Sequence, residues 1–159
     1  MSDKRRVLFL CTGNCCRSPM AEALLRRIGG ERFEACSAGS QPAGFIHGLA
    51  IEAMRRMGIS VEGQESKSWD VFRDDPVDAV ITLCDAAAAE TCPQWPGAPL
   101  TAHWSLPDPA YHPGAEEERM ELAMRVADRL RLKIEGLVNL DWSADRQQLA
   151  KHLNDLGEI

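Results

Sequence analysis

The sequence predicts an α/β domain: a four-stranded parallel sheet flanked by helices on both faces. Three observations point there. Short apolar β-type runs alternate with stretches of helical period, the 159 residues suit one compact domain over 1–159, and no repeat, linker or low-complexity stretch divides the chain. Strands joined through helices run parallel with right-handed crossovers.

The first strand is Val7-Leu8-Phe9-Leu10, stopped by Cys11-Thr12-Gly13-Asn14, where Gly and Asn signal a sharp turn. A helix starts at once. Ser18 suits its N-cap and Pro19 its first position, and Ala21, Leu24, Leu25 and Ile28 recur at helical spacing until Gly29-Gly30. A second strand over 33–37 runs into Ala38-Gly39-Ser40-Gln41-Pro42. Residues 47–57 read as a helix with Leu49, Ala50, Ala53, Met54 and Met57 on one face and Gly58 behind it. Residues 77–83 read as the third strand and 100–104 as a weaker fourth, with an Ala-rich piece ending in Cys92-Pro93 between them. The longest helix is predicted over 116–138: Met120, Ala123, Ala127, Leu130, Ile134 and Leu137 form its core stripe, and Glu116-Glu117-Glu118 sits at its positive N-terminal end. A short last helix takes 143–156.

Charge narrows the partners. The chain carries 18 Lys and Arg against 24 Asp and Glu, a net −6, with no basic run longer than Lys4-Arg5-Arg6. A nucleic-acid backbone or an anionic membrane is therefore excluded as partner, while a small anion in a local pocket is not. A domain of this length buries roughly two-thirds of its unfolded surface, so its core needs no disulfide or metal, and the 6 cysteines are free for chemistry. The first apolar run is too short for a signal peptide and lacks an A-x-A site, and nowhere do about 18 apolar residues follow one another. A cytoplasmic protein with reduced thiols is expected.

In such a fold, ligands gather at the carboxyl ends of the strands, and the loop after the first strand meets a helix N-terminus there. That loop reads Cys11-Thr12-Gly13-Asn14-Cys15-Cys16-Arg17-Ser18, a C-x5-R-S spacing. It is not a nucleotide-binding G-x-x-x-x-G-K-[ST]. A short loop wrapped before a helix turns successive N–H groups inward, and the helix dipole adds partial positive charge. Residues 12–18 (Thr12, Gly13, Asn14, Cys15, Cys16, Arg17, Ser18) are thus an expected cradle for a tetrahedral oxyanion. Arg17 clamps it bidentately, the positive field lowers the pKa of Cys11, and Ser18 is placed to donate to that sulfur.

From Cys11 through Ser18-Pro19-Met20-Ala21-Glu22, and on through Ser37-Ala38-Gly39 to Asp108-Pro109-Ala110 and the long helix, the chain resembles the low-molecular-weight protein tyrosine phosphatases and the arsenate reductases that share their fold. The resemblance implies two competing activities. Both start with Cys11 attacking the central atom of a bound oxyanion while an acid protonates the departing oxygen. Asp108, between Pro107 and Pro109 in a loop after the fourth strand, matches the family's general-acid loop.

The cysteine inventory separates the two. A phosphatase needs one thiolate, whereas reducing arsenate to arsenite consumes two electrons, which thiols supply by forming a disulfide. Cys84 ends the third strand on the same edge as Cys11, and Cys92 follows eight positions on. This pair resembles the relay of the thioredoxin-coupled arsenate reductases. The implied course is a Cys11–arsenate adduct, a Cys11–Cys84 disulfide with arsenite release, a Cys84–Cys92 disulfide, and reduction by thioredoxin. The interval between Cys84 and Cys92 is longer than in those members, so glutathione with glutaredoxin stays open as reductant. His103-Trp104 before the acid loop also resembles the reductases, and Ala110-Tyr111 stands where the phosphatases carry paired aromatics. The expectation is an arsenic-detoxifying arsenate reductase with no bound cofactor and residual phosphatase activity. A tyrosine phosphatase is the alternative, and a non-catalytic oxyanion-binding or redox-sensing module a third class.

Some members bind potassium near the cradle through an Asn, a helix Glu and a later carboxylate. Asn14 and Glu22 match, but Lys67 stands in the carboxylate's place, so its ammonium is expected to replace the ion and no metal is required. The side chains of Cys15, Cys16 and Cys36 read as structural. His47, His103, His112 and His152 lack zinc spacing and read as surface or packing residues.

Overall fold

The computed structural model describes residues 4–84 and 97–159; Cys92 and the Ala-rich piece around it lie outside the described residues. Strands β1 (Arg5–Leu10), β2 (Phe33–Ala38), β3 (Ala79–Thr82) and β4 (Leu100–His103) form one parallel sheet in the order β2-β1-β3-β4. Helices α1 (Arg17–Gly29), α2 (Gly48–Arg56), α3 (Glu116–Val138) and α4 (Arg146–Asp155) flank it. No helix among the described residues is long and apolar enough to cross a membrane.

Alternation along the central strands divides the core. Val7 and Phe9 of β1, with Ala79 and Ile81 of β3, face a large cluster fed by all four helices. Leu8, Leu10 and Val80 face the other way, onto a small cluster closed by Phe72, Val77 and Trp69. Both faces of the strands are buried, which is why they read as continuous apolar runs rather than alternating ones. Among the described residues the second face is covered by a single 3-10 turn, Trp69–Phe72, rather than by an α-helix. That turn escaped the sequence reading because one turn has no period to detect.

Helix ends differ from expectation for local reasons. Ser18 is not an N-cap: α1 already begins at Arg17, with Cys16 as its N-cap and no side-chain cap bond. The Ser18 hydroxyl is engaged by the loop instead. Helix α2 is capped by His47, whose Nδ1 accepts from the Leu49 N–H at 3.1 Å, and it ends before Gly58 in the left-handed region (φ 70°). Helix α4 starts later than predicted because Asp145 caps it through the Gln148 N–H. Helix α3 has the predicted bounds, and its stripe includes one surprise. Lys133 is buried in line with Leu130 and Leu137, and its ammonium donates to the carbonyls of Leu156, Gly157 and Ile159 at 3.0–3.1 Å.

Sheet register sets the site. Leu10 pairs with Ala38 and with Thr82, and Thr82 with His103, so all four strands end at one level. Cys11, Gly39, Cys84 and the loop after β4 therefore emerge on one edge.

Candidate active site

The loop from Cys11 to Arg17 is held open from outside. The carbonyls of Thr12, Gly13 and Cys15 accept from the backbone N–H groups of Gln41, Ala43 and His47 at 2.9, 2.9 and 2.7 Å. In a trans peptide the following N–H points the opposite way, so the N–H groups of Gly13, Asn14 and Cys16 turn to the inner side. The segment after β2 thus makes the cradle by consuming its outward carbonyls. Gly39 permits the approach: a Cβ there would lie 2.4 Å from the Thr12 carbonyl oxygen and 2.8 Å from that of Cys11.

Asn14 locks the turn. It is fully buried with φ 46°, a left-handed conformation that Asn tolerates better than most residues. Its Oδ1 accepts from the Lys67 N–H at 2.9 Å, and its Nδ2 donates to Ser18 Oγ at 2.8 Å. Because Ser18 Oγ accepts there, its proton is left for Cys11 Sγ, 2.9 Å away. The expected Ser18–sulfur contact is present.

A cavity of about 170 Å3 lies inside the loop, walled by Cys11, Cys15, Cys16 and Arg17, with Gln41 opposite and Asp108 and Tyr111 beside it. Arg17 is buried; its Nη1 donates to the Leu106 carbonyl at 3.0 Å and its Nη2 to Asp108 Oδ2 at 3.1 Å. Asp108 Oδ1 accepts from the Ala110 N–H at 3.0 Å, capping the 3-10 turn Pro109–Tyr111. The fold thus brings Arg17 and Asp108 together at the cavity. The Leu106 carbonyl, which shares Arg17 with Asp108, was not visible in the sequence, since no side-chain type marks it.

The cavity thiols are not equivalent. Burial pushes Cys11 up, against the Ser18 hydroxyl, the Arg17 charge and the N–H groups of Ser18 and Asn14, which all favour its thiolate. This corrects the expectation of a Cys11 held low: in this structure burial outweighs the cradle's pull, while Arg17 shares its charge with Asp108. Burial first, then the neighbouring Cys11 and Asp108, pushes Cys15 up to about 11, with only Arg17 opposing. Burial and Asp108 push Cys16 higher still. Cys11 alone of the three has hydrogen-bond donors arranged on its sulfur. Burial also raises Cys36, in β2, away from the cavity.

Cys84 is buried and in contact with Cys11, the two forming a cluster of their own, and Thr12 Oγ1 lies 3.4 Å from Cys84 Sγ. Cys92 lies outside the described residues. His103 accompanies β3, its Nδ1 2.7 Å from Thr82 Oγ1, and Trp104 is core, donating from Nε1 to the Leu153 carbonyl.

The residues at the potassium position do not fit an added cation. Glu22 is buried, accepts from Ser37 Oγ at 2.5 Å and pairs with Arg26 at 2.7 Å, and Asn14 Oδ1 is taken by a backbone N–H. Nor does the Lys67 ammonium replace the ion as expected: it donates to the Glu65 carbonyl, over the Phe72 ring, and the charge on Glu22 is met by Arg26. Glu22 ties α1 to β2 through Ser37.

This cradle of Cys, Arg and Asp on a parallel sheet is that of a cysteine-dependent oxyanion enzyme. The family model of the low molecular weight phosphotyrosine protein phosphatases matches residues 6–153, and the chain belongs to that family. It is 36% identical over 132 residues to an arsenate reductase of Halalkalibacterium halodurans, covering 83% of this chain and 94% of that one. A solved structure described as an arsenate reductase in the phosphate binding state superposes with TM-score 0.69 at 27% identity, covering 84% of this chain and 96% of the other. The thioredoxin-dependent arsenate reductase of Corynebacterium glutamicum superposes with TM-score 0.60 at 32% identity, covering 82% of this chain and 60% of that longer one.

Proposed function

We propose that this protein is an arsenate reductase in which Cys11 is the nucleophile, Arg17 the anion clamp, Asp108 the acid, and Cys84 and Cys92 the successive resolving thiols. The observation that carries the reading is the Cys11–Cys84 contact: two thiols meet at the ends of adjacent strands, beside the cradle. Phosphoryl transfer to water uses one of them; reduction uses both.

The chemistry follows from the placement. Arsenate, an oxyanion of phosphate-like shape, sits on the inward N–H groups of the loop and draws Arg17 from Asp108. As Arg17 turns to the anion, the proton of the Cys11 thiol passes to Asp108; the thiolate attacks arsenic, and an arsenate hydroxyl leaves as water with that proton. Cys84 Sγ then attacks Cys11 Sγ. The S–S bond forms as the S–As bond breaks, and the electron pair of the broken bond stays on arsenic, which departs as arsenite. Cys92 attacks Cys84, expelling Cys11 as thiolate and leaving a Cys84–Cys92 disulfide. An external dithiol of the thioredoxin or glutaredoxin kind takes up that disulfide by exchange; the thioredoxin dependence of the Corynebacterium glutamicum relative favours the first. A reductant of this kind works where thiols are kept reduced, which supports a cytoplasmic activity.

The test is NADPH consumption on adding arsenate, with thioredoxin and its reductase or glutathione and glutaredoxin supplied in turn. Turnover in the wild type that is lost in both Cys84→Ser and Cys92→Ser supports the relay, and the system that sustains it identifies the reductant. No turnover with either system, beside aryl phosphate hydrolysis that survives both substitutions, makes the protein a phosphatase.

A further inference from the structure

We propose that Arg119 is a positioning residue for Asp108, acting on the carboxylate through a single peptide plane; the inference rests on Asp108 being the acid. Arg119, in the first turns of α3, reaches back over the loop to the two residues after Asp108. Its Nε donates to the Pro109 carbonyl at 3.4 Å and its Nη2 to the Ala110 carbonyl at 2.6 Å. The Pro109 carbonyl and the Ala110 N–H belong to one trans peptide and point in opposite directions. A guanidinium fixed on the carbonyl therefore aims the N–H at the other side, where it donates to Asp108 Oδ1 at 3.0 Å.

The relay is geometric and electronic. A carbonyl bonded to a cation polarises its peptide and makes the N–H a stronger donor. Asp108 is then held from two sides. Arg17 grips Oδ2 from the cavity wall, and the Ala110 N–H, set by Arg119, grips Oδ1 from behind. When an oxyanion draws Arg17 away, only the second grip keeps the carboxyl aimed at the leaving oxygen. The Pro109 carbonyl also accepts from the His112 N–H at 3.4 Å, closing the 3-10 turn, so Arg119 and that turn bond together hold the peptide plane.

Arg119→Ala and Arg119→Lys in the full-length chain test this by two readouts. The first is the Ala110 amide proton resonance, assigned in the wild type: in Arg119→Ala it moves upfield as the N–H loses its polarised carbonyl, and in Arg119→Lys, which keeps the charge but not the two-pronged grip, it moves less. The second is arsenate turnover, where kcat falls about tenfold in Arg119→Ala with KM little changed, because the acid and not anion binding is disturbed, and Arg119→Lys recovers part of it. A folded Arg119→Ala protein with an unshifted Ala110 resonance overturns the proposal, whatever its stability. Should Arg119→Ala not fold, an unshifted resonance in Arg119→Lys does the same. If the wild type itself turns over no arsenate, the proposed function fails while the amide resonance still decides the role of Arg119.

Discussion

Cys11 sits where burial and hydrogen bonding oppose each other. Burial pushes its thiol up, so alkylation by iodoacetamide rises with pH past the ordinary thiol range in the free protein. The Ser18 hydroxyl is the strongest of the groups that pull the other way. Ser18→Ala therefore moves the alkylation midpoint to higher pH and slows the reaction at every pH below it. Asp108→Asn does the reverse: Arg17 no longer shares its charge with a carboxylate, the thiolate is favoured, and the midpoint falls. Rate–pH profiles of Cys11 alkylation in the two variants check both signs. Cys11 and Arg17 were legible in the sequence from residue type and C-x5-R spacing after a strand, whereas Asp108 was singled out only by the resemblance to the family's acid loop. Arg119 and the Leu106 carbonyl were not, since one is a surface-type charge far along the chain and the other a backbone group.

The elements show the same division. Strand β1 was read from its continuous apolar run and helix α3 from its helical periodicity, and α3 has its predicted bounds because it buries a long, regular apolar stripe. The segment after β2 carries no such pattern, yet it builds the cradle by donating N–H groups to the carbonyls of Thr12, Gly13 and Cys15. Its decisive residue is Gly39. Gly39→Ala places a methyl against two carbonyl oxygens of a loop that cannot retreat without losing its bonds to Gln41 and Ala43. The expected cost is about 1–3 kcal/mol by denaturant titration, with a larger loss of oxyanion binding by calorimetry, since the strain falls on the cradle itself. Wild-type stability and binding in Gly39→Ala would show that the loop is softer than its contacts indicate.

At the scale of the whole molecule, the parallel register delivers the described candidate groups, Cys11, Arg17, Cys84 and Asp108, to one edge, and the two-sided core keeps that edge in place. Phe9 links the two functions. It is fully buried in the central strand, tilted against Trp104 with ring centroids 6.0 Å apart, and it lies two residues before Cys11. Phe9→Ala opens a cavity between β1 and the start of the acid loop, with an expected loss of about 3–5 kcal/mol in denaturant unfolding. A loss below about 1 kcal/mol would mean that this core collapses readily around the missing ring. The parallel sheet was accessible from the alternation of elements, whereas the strand order and the meeting of Cys11 with Cys84 depend on pairing and register, which no local pattern encodes.

The proposed relay is tested most directly by a single turnover in the absence of any reductant. Reduced protein is mixed with arsenate, arsenite is quantified, and the disulfides are mapped by mass spectrometry after alkylation. The relay predicts one arsenite per chain with a Cys84–Cys92 disulfide in the wild type. It predicts one arsenite with a trapped Cys11–Cys84 disulfide in Cys92→Ser, and none in Cys84→Ser. Reduced protein that yields no arsenite, or arsenite formed with Cys84 still free, contradicts it.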